Sequence, residues 1–119
     1  MSNVIIRPIT SADDAAIAAI IRENLRAHHL DIPGTAYFDP ELDCLSAYYN
    51  NQPEKRRYFI AAYDDGTVIG GVGVAEFTGF ANCAEIQKLY LSDAAKGMGL
   101  GKRLMQTAEE FARSAGYSF

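Results

Sequence analysis

The chain is short of positive charge. Eleven lysines and arginines stand against fifteen aspartates and glutamates, a formal net charge of −4. That balance offers no basic footprint for nucleic acid, and an anionic membrane surface would repel the chain. Cysteine is scarce. Cys44 and Cys83 lie far apart and form no CxxC pair, which argues against a disulfide scaffold and against a zinc or other metal site. Two free thiols in a reducing compartment are expected. No apolar run approaches the ~20 residues of a membrane span. The N-terminal MSNVIIRPIT has no signal-peptide pattern. Internal repeats, low-complexity tracts and Ser/Gly/Pro-rich linkers are also missing. These absences leave a cytoplasmic chain organised as one domain over residues 1–119. At 49% hydrophobic and 22% charged it has enough apolar material for a core.

The order of elements can be read along the chain. Val4 to Arg7 is a short β-branched run, ended by Pro8. Thr10 and Ser11 offer helix N-caps, with Asp13 and Asp14 three residues on in capping-box register. Ile17, Ile20, Ile21 and Leu25 then recur at helical spacing, so a helix is predicted over about Ser11 to Ala27. HHLDIPGTAYFD is loop-like. Asp39-Pro40 is an N-cap followed by proline at the first helical position, and Leu42, Leu45 and Tyr49 mark one face of a second, shorter helix. Arg57–Tyr63 and Thr67–Phe77 read as a hairpin joined by Asp64-Asp65-Gly66. Gly70, Gly71 and Gly73 weaken its second strand and suggest close approach of another backbone or a ligand. CAEIQKLYL is a fourth strand. A last helix runs from about Met98 to Ser114, with Leu104, Met105, Ala108, Phe111, Ala112 and Ala115 on its apolar face and Gly116 as its cap. Tyr117-Ser118-Phe119 begins a fifth strand. The order β-α-α-β-β-β-α-(β) predicts a mixed α/β fold, mostly antiparallel, with a parallel crossover at its end.

Gly97, Gly99 and Gly101 alternate where the fourth strand meets the last helix. Free backbone N–H groups and the helix dipole point outward there, and glycines let a bulky anion approach. Phosphate or pyrophosphate suits such a place, although a merely flexible turn would carry the same glycines. Two common phosphate loops fail on spacing. A P-loop needs Ser or Thr after its lysine, and here Arg103 follows Lys102. A dinucleotide fingerprint needs GxGxxG after the first strand, and this is GxGxG after the fourth.

Lys96-Gly97-Met98-Gly99-Leu100-Gly101 resembles the acetyl-CoA signature of the Gcn5-related N-acetyltransferases, Gln/Arg-x-x-Gly-x-Gly/Ala, which follows a strand and opens a helix. Lysine at its first position is a departure that keeps the cationic character. The strand EIQKLYLS and the element order resemble that family over essentially the whole chain. The resemblance implies acetyl-CoA as cosubstrate, with its pyrophosphate on the backbone N–H groups of Gly97 to Gly101 and of Lys102, and with Lys96 beside it. Met98 and Leu100 complete that loop. Leu89 and Leu91 would present backbone groups to the pantetheine arm, as an added β-strand would. It also implies direct attack by an amine in a ternary complex, without an acyl-enzyme, so neither cysteine needs a nucleophilic role.

Glu85 is the candidate base, by resemblance to family members with a glutamate at the matching position. Strand alternation places Glu85, Gln87, Leu89 and Leu91 on one face. An exposed strand glutamate is the plain alternative. Glu76 is a second candidate. His28 and His29, ending the first helix, and Tyr37 and Phe38 in the next loop fall where the family binds its acceptor, a small-molecule or peptide amine. The family continues past the signature helix, with an asparagine that contacts CoA and a tyrosine that protonates the thiolate. No residue here matches them, so the reading is of an incomplete acetyltransferase domain lacking the C-terminal part of its fold. That leaves a catalytically impaired CoA-binding or assembly module as the alternative function, and a binding domain without nucleotide as a weaker one. An unpaired fourth strand would recruit a second copy, so a homodimer is expected.

Overall fold

The Arg7 guanidinium grips the Asp13 carboxylate through two hydrogen bonds of 2.7 and 2.8 Å. The same carboxylate accepts the Thr10 backbone N–H at 2.8 Å. The end of the first strand and the start of the first helix are thereby one unit. The structure is a computed structural model that describes residues 3–30, 40–77, 79, 82–95, 97 and 99–118. Its elements are β1 (Val4–Pro8), a 3₁₀ turn (Ser11–Asp13), α1 (Asp14–Ala27), a second 3₁₀ stretch (Pro40–Cys44), α2 (Leu45–Asn50), β2 (Arg57–Tyr63), β3 (Val68–Glu76), β4 (Ala84–Leu91), a turn at Asp93–Ala95 and α3 (Leu100–Ser114).

The four strands form one sheet in the order β1-β2-β3-β4, every pair antiparallel. Side chains alternate across it as a period of two requires. Tyr58, Ile60 and Ala62 face one layer, built from Ile17, Ile21 and Leu25 of α1 and from Leu42, Leu45 and Tyr49. Phe59, Ala61, Val72 and Val74 face the other, built from Leu100, Leu104 and Ala108 of α3. Helices cover both faces, which is why β2 and β3 read as nearly continuous apolar runs. No helix among the described residues is long and apolar enough to cross a membrane.

Three expectations change. The close approach at Gly73 comes from a core side chain, and that at Gly71 from a core ring together with the Phe59 backbone carbonyl at 2.9 Å. A Cβ at Gly71 would lie 2.4 Å from the Tyr58 ring, and one at Gly73 would lie 2.5 Å from the Tyr49 hydroxyl. Backbone approaches at Gly70 as well, the Tyr90 carbonyl at 2.7 Å beside the Leu91 side chain. The last helix starts at Leu100, because Gly99 with φ +70° caps it; Met98 lies outside the described residues. Tyr117 and Ser118 are not in a strand. Instead the Ser118 N–H donates to the Asn82 carbonyl at 2.8 Å and the Tyr117 hydroxyl to the Lys55 carbonyl at 2.9 Å. Phe119 and the expected cap Asp39 fall outside the described residues.

Candidate active site along the outer strand

The outer strand β4 is broken in its middle. Gly71 pairs with Tyr90 and Gly73 with Gln87, so two steps along β3 match three along β4. The extra residue makes a β-bulge, and Lys88 takes a left-handed φ of +50° within it. The core holds this distortion. The buried Tyr58 hydroxyl donates to the Lys88 carbonyl at 2.8 Å, and its ring occupies the notch left by Gly71. Burial pushes the Tyr58 phenol up, so it remains a donor.

The bulge overturns the expected alternation. Gln87 bonds to Tyr49 and Glu85 bonds to Gln87, so both lie on the α1–α2 face. Tyr90 packs on that face as well, while Leu91 packs with the α3 cluster. Glu85 and Leu91 therefore occupy opposite faces. Leu89, 38% exposed, projects from the strand just past the bulge.

Beyond the bulge, the Ser92 N–H donates to the Ile69 carbonyl at 2.8 Å. Gly70 and Leu91 are then a non-hydrogen-bonded pair, and the N–H and C=O of Leu91 point away from β3 to the open edge. The carbonyl is already bonded: the Asn24 amide donates to it at 2.8 Å and to the Ile20 carbonyl of its own helix at 2.9 Å. Asn24 also lines a cleft of ≈ 310 Å³ between α1 and the end of β4, with Ile20, Glu23, Ser92 and Asp93. The buried Ser92 hydroxyl has no hydrogen-bond partner among the described residues.

Gly97 and Gly99 both have left-handed φ, +85° and +70°, with open space where a Cβ would be. Their glycine requirement is conformational. Gly101 is different: its φ is ordinary, and a Cβ would touch only the Leu91 side chain at 3.9 Å. The buried Leu100 anchors the helix start in the core. The Arg103 N–H reaches the Gly99 carbonyl at 3.3 Å, so the N–H groups of Leu100, Gly101 and Lys102 precede the first in-helix bond. The Lys102 side chain is exposed. Lys96 lies outside the described residues.

The two candidate carboxylates differ. Glu76 is ion-paired with Arg56 at 2.6 Å, and its second oxygen is buried. Its surroundings are Lys55, Asn82, Cys83 and Tyr117, at the far end of the sheet. Glu85 is exposed, is in no ion pair among the described residues, and accepts one hydrogen bond, from the Gln87 amide at 2.7 Å. His28 and His29 are exposed, and the His28 ring bonds the Asn24 carbonyl at 2.8 Å. His29, with φ +59°, ends α1. Tyr37 and Phe38 lie outside the described residues. Sequence reasoning placed Gln87 on the face of Glu85, where it bonds the carboxylate, but missed Asn24, Tyr49 and Tyr58 as parts of this region. The small residues of β3 were the available signal, since a glycine inside a strand implies a large neighbour.

An α/β layer structure with a bulged outer strand and a glycine-capped helix N-terminus defines a class. The family model described as Acetyltransferase (GNAT) family matches residues 18–119. The uncharacterized N-acetyltransferase YjgM of Escherichia coli K12 is 37% identical over 115 residues, which cover 95% of this chain and 67% of the relative. A GCN5-related N-acetyltransferase from Kribbella flavida is 28% identical with a TM-score of 0.71, covering 96% of this chain and 67% of that one. The structure of yncA from Salmonella typhimurium, solved with its cofactor acetyl-CoA, is 26% identical with a TM-score of 0.71, covering 97% and 66%. The chain belongs to the GNAT acetyltransferase family, and by that relationship its class is that of an enzyme. It spans about two thirds of the length of these relatives.

Proposed function

We propose that this chain carries the acetyl-CoA half of an N-acetyltransferase site, and that the acceptor is a small-molecule or peptide amine attacking the thioester directly in a ternary complex. The observation that carries this reading is the layout of β4. Glu85 sits near one end, the bulge at Lys88 in the middle, and the helix start with left-handed Gly97 and Gly99 just beyond the other end. The loop from Lys96 to Lys102, with Met98 and Leu100, receives the pyrophosphate on backbone N–H groups. The pantetheine arm runs along the open edge past Leu91 and Leu89. At ~3.3 Å per residue, Glu85 lies roughly 10 Å along the strand from the bulge. The Glu85 carboxylate takes the proton of the attacking amine, directly or through water. The amine nitrogen bonds to the acetyl carbon, the carbon–sulfur bond breaks, and CoA leaves as the thiol once its thiolate is protonated. Cys44 and Cys83, neither of them in a disulfide, take no part.

The test is Glu85→Gln. It should lower kcat for thiol release by about a hundredfold and flatten the acidic limb of the pH–rate profile, with acetyl-CoA affinity nearly unchanged. An unchanged profile would assign Glu85 to the exposed surface. A chain that binds acetyl-CoA in calorimetry but releases no thiol with any amine would instead support the CoA-binding or assembly module.

A further inference from the structure

We infer that Gln87 and Tyr49 are positioning residues that hold the Glu85 carboxylate in one orientation, an assignment that rests on Glu85 being the base proposed above. Three side chains form a continuous line from the core to the surface. The Tyr49 hydroxyl donates to Gln87 Oε1 at 2.7 Å, and Gln87 Nε2 donates to Glu85 Oε1 at 2.7 Å.

The direction of this line follows from chemistry. An ionised carboxylate only accepts hydrogen bonds, so the amide must turn its N–H groups toward Glu85. Its carbonyl then faces Tyr49, which must donate. Burial holds the Tyr49 phenol far above its ordinary value, so it keeps that proton across the working range.

Rigidity enters at the buried end. Tyr49 is fully buried, its ring edge-on to Tyr48 at 4.9 Å and tilted against Tyr58 at 5.2 Å. The absent side chain of Gly73 makes room for its hydroxyl. Gln87 is half-buried, and Glu85 is exposed. An exposed glutamate left alone samples several rotamers. Two short hydrogen bonds to a ring that cannot move restrict this one. Glu85 Oε2 is left without a protein donor among the described residues and is available to a proton. A base fixed this way loses less rate to misplacement, which can cost as much as a hundredfold when a reacting group shifts by about 1 Å.

A double-mutant cycle tests it, with acetyl-CoA and whichever primary amine of a panel gives the fastest thiol release by the wild-type chain. Tyr49→Phe keeps the ring and removes only the hydroxyl. It should lower kcat about tenfold with little change in KM for acetyl-CoA, and by less than about twofold when Glu85→Gln is already present. Gln87→Met, close in length and outside the fully buried core, should behave in the same way. Equal losses from Tyr49→Phe in both backgrounds would mean a merely structural role and overturn the assignment. The relay is also read without turnover. In side-chain NMR of the 15N-labelled chain, the Gln87 amide protons should exchange slowly and shift on Tyr49→Phe and on Glu85→Gln. Gln87 signals indifferent to Tyr49→Phe would overturn the relay whatever the kinetics. A wild-type kcat in Glu85→Gln together with shifting Gln87 signals would remove Glu85 as the base and its positioning role with it, leaving the hydrogen-bond line as a structural feature.

Discussion

Alanine at Gly101 should make the protein more stable and a worse ligand for acetyl-CoA, two effects that packing alone cannot combine. Gly101 is the second residue of α3, its φ is ordinary, and an added Cβ would meet only Leu91 Cδ1 at 3.9 Å. Replacing a helical glycine with alanine stabilises by about 0.8–1 kcal/mol in a helix interior. In the first turn about half of that is expected, which raises Tm by about 2 °C for a chain of this length. A pyrophosphate drawn onto the N–H groups of the helix start would meet the new methyl group, and a loss of about 1.4 kcal/mol is tenfold in Kd. Gly99→Ala is the internal control. At φ +70° a side chain costs about 1–2 kcal/mol, partly offset by about 0.4–1 kcal/mol of lost freedom in the unfolded chain. Its Tm should fall by a few degrees while its binding also weakens. Lys102→Ala, which leaves the backbone alone, should cost less affinity than either. Thermal unfolding and calorimetry with acetyl-CoA on the same samples decide the matter. A Gly101→Ala protein that melts lower than wild type would refute the packing argument. One that melts higher and binds acetyl-CoA equally well would remove the pyrophosphate from the helix start.

Two further outcomes are expected. Asp13→Asn should cost about 2 kcal/mol at neutral pH, because it removes the charged grip of Arg7 and weakens the Thr10 cap. The Arg7 hydrogen bonds hold the Asp13 carboxyl below the usual carboxylate range, so the stability it supplies is complete above about pH 4 and is lost as pH falls through the depressed value. Urea midpoints of wild type and variant should therefore converge on acidification, and a gap that persists unchanged at pH 2 would contradict this account. Light scattering across a concentration series should show self-association, since the far edge of β4 has no partner strand among the described residues and Ile86 and Leu89 are exposed beside it; a strictly monomeric chain at high concentration would reject that expectation.

The cap ahead of α1 was legible because its signal is local: Thr10 and Asp13 stand three apart, and the carboxylate accepts the Thr10 N–H, although Ser11–Asp13 forms a 3₁₀ turn and α1 itself begins at Asp14. Leu42, Leu45 and Tyr49 are buried where helical spacing puts them. The hairpin turn at Asp64-Asp65-Gly66 follows from its residues, with Gly66 at φ +95°. The bulge was not legible. Lys88 carries no turn chemistry, and nothing in EIQKLYL marks a left-handed residue. The distortion is set from outside the strand, by a hydroxyl thirty residues earlier and a glycine on β3. Once it is missed, alternation misplaces Leu91 relative to Glu85. The alternating glycines near α3 read as one motif in the sequence, yet backbone conformation demands glycine at 97 and 99 and not at 101. Local patterns reveal elements, whereas the site depends on contacts between residues far apart in the chain.

The Asn24 amide on the Leu91 carbonyl has a consequence for solubility. An outer strand with a straight row of unpaired backbone groups is a template on which further chains can stack into fibrils. Here the row is interrupted twice, by the kink at Lys88 and by the side chain of α1 that takes the last outward carbonyl. No long flat register is left for a stacking chain to copy. On the function proposed above, the same edge takes one short extended guest between these two interruptions, and recognition of a ligand there does not invite indefinite polymerisation.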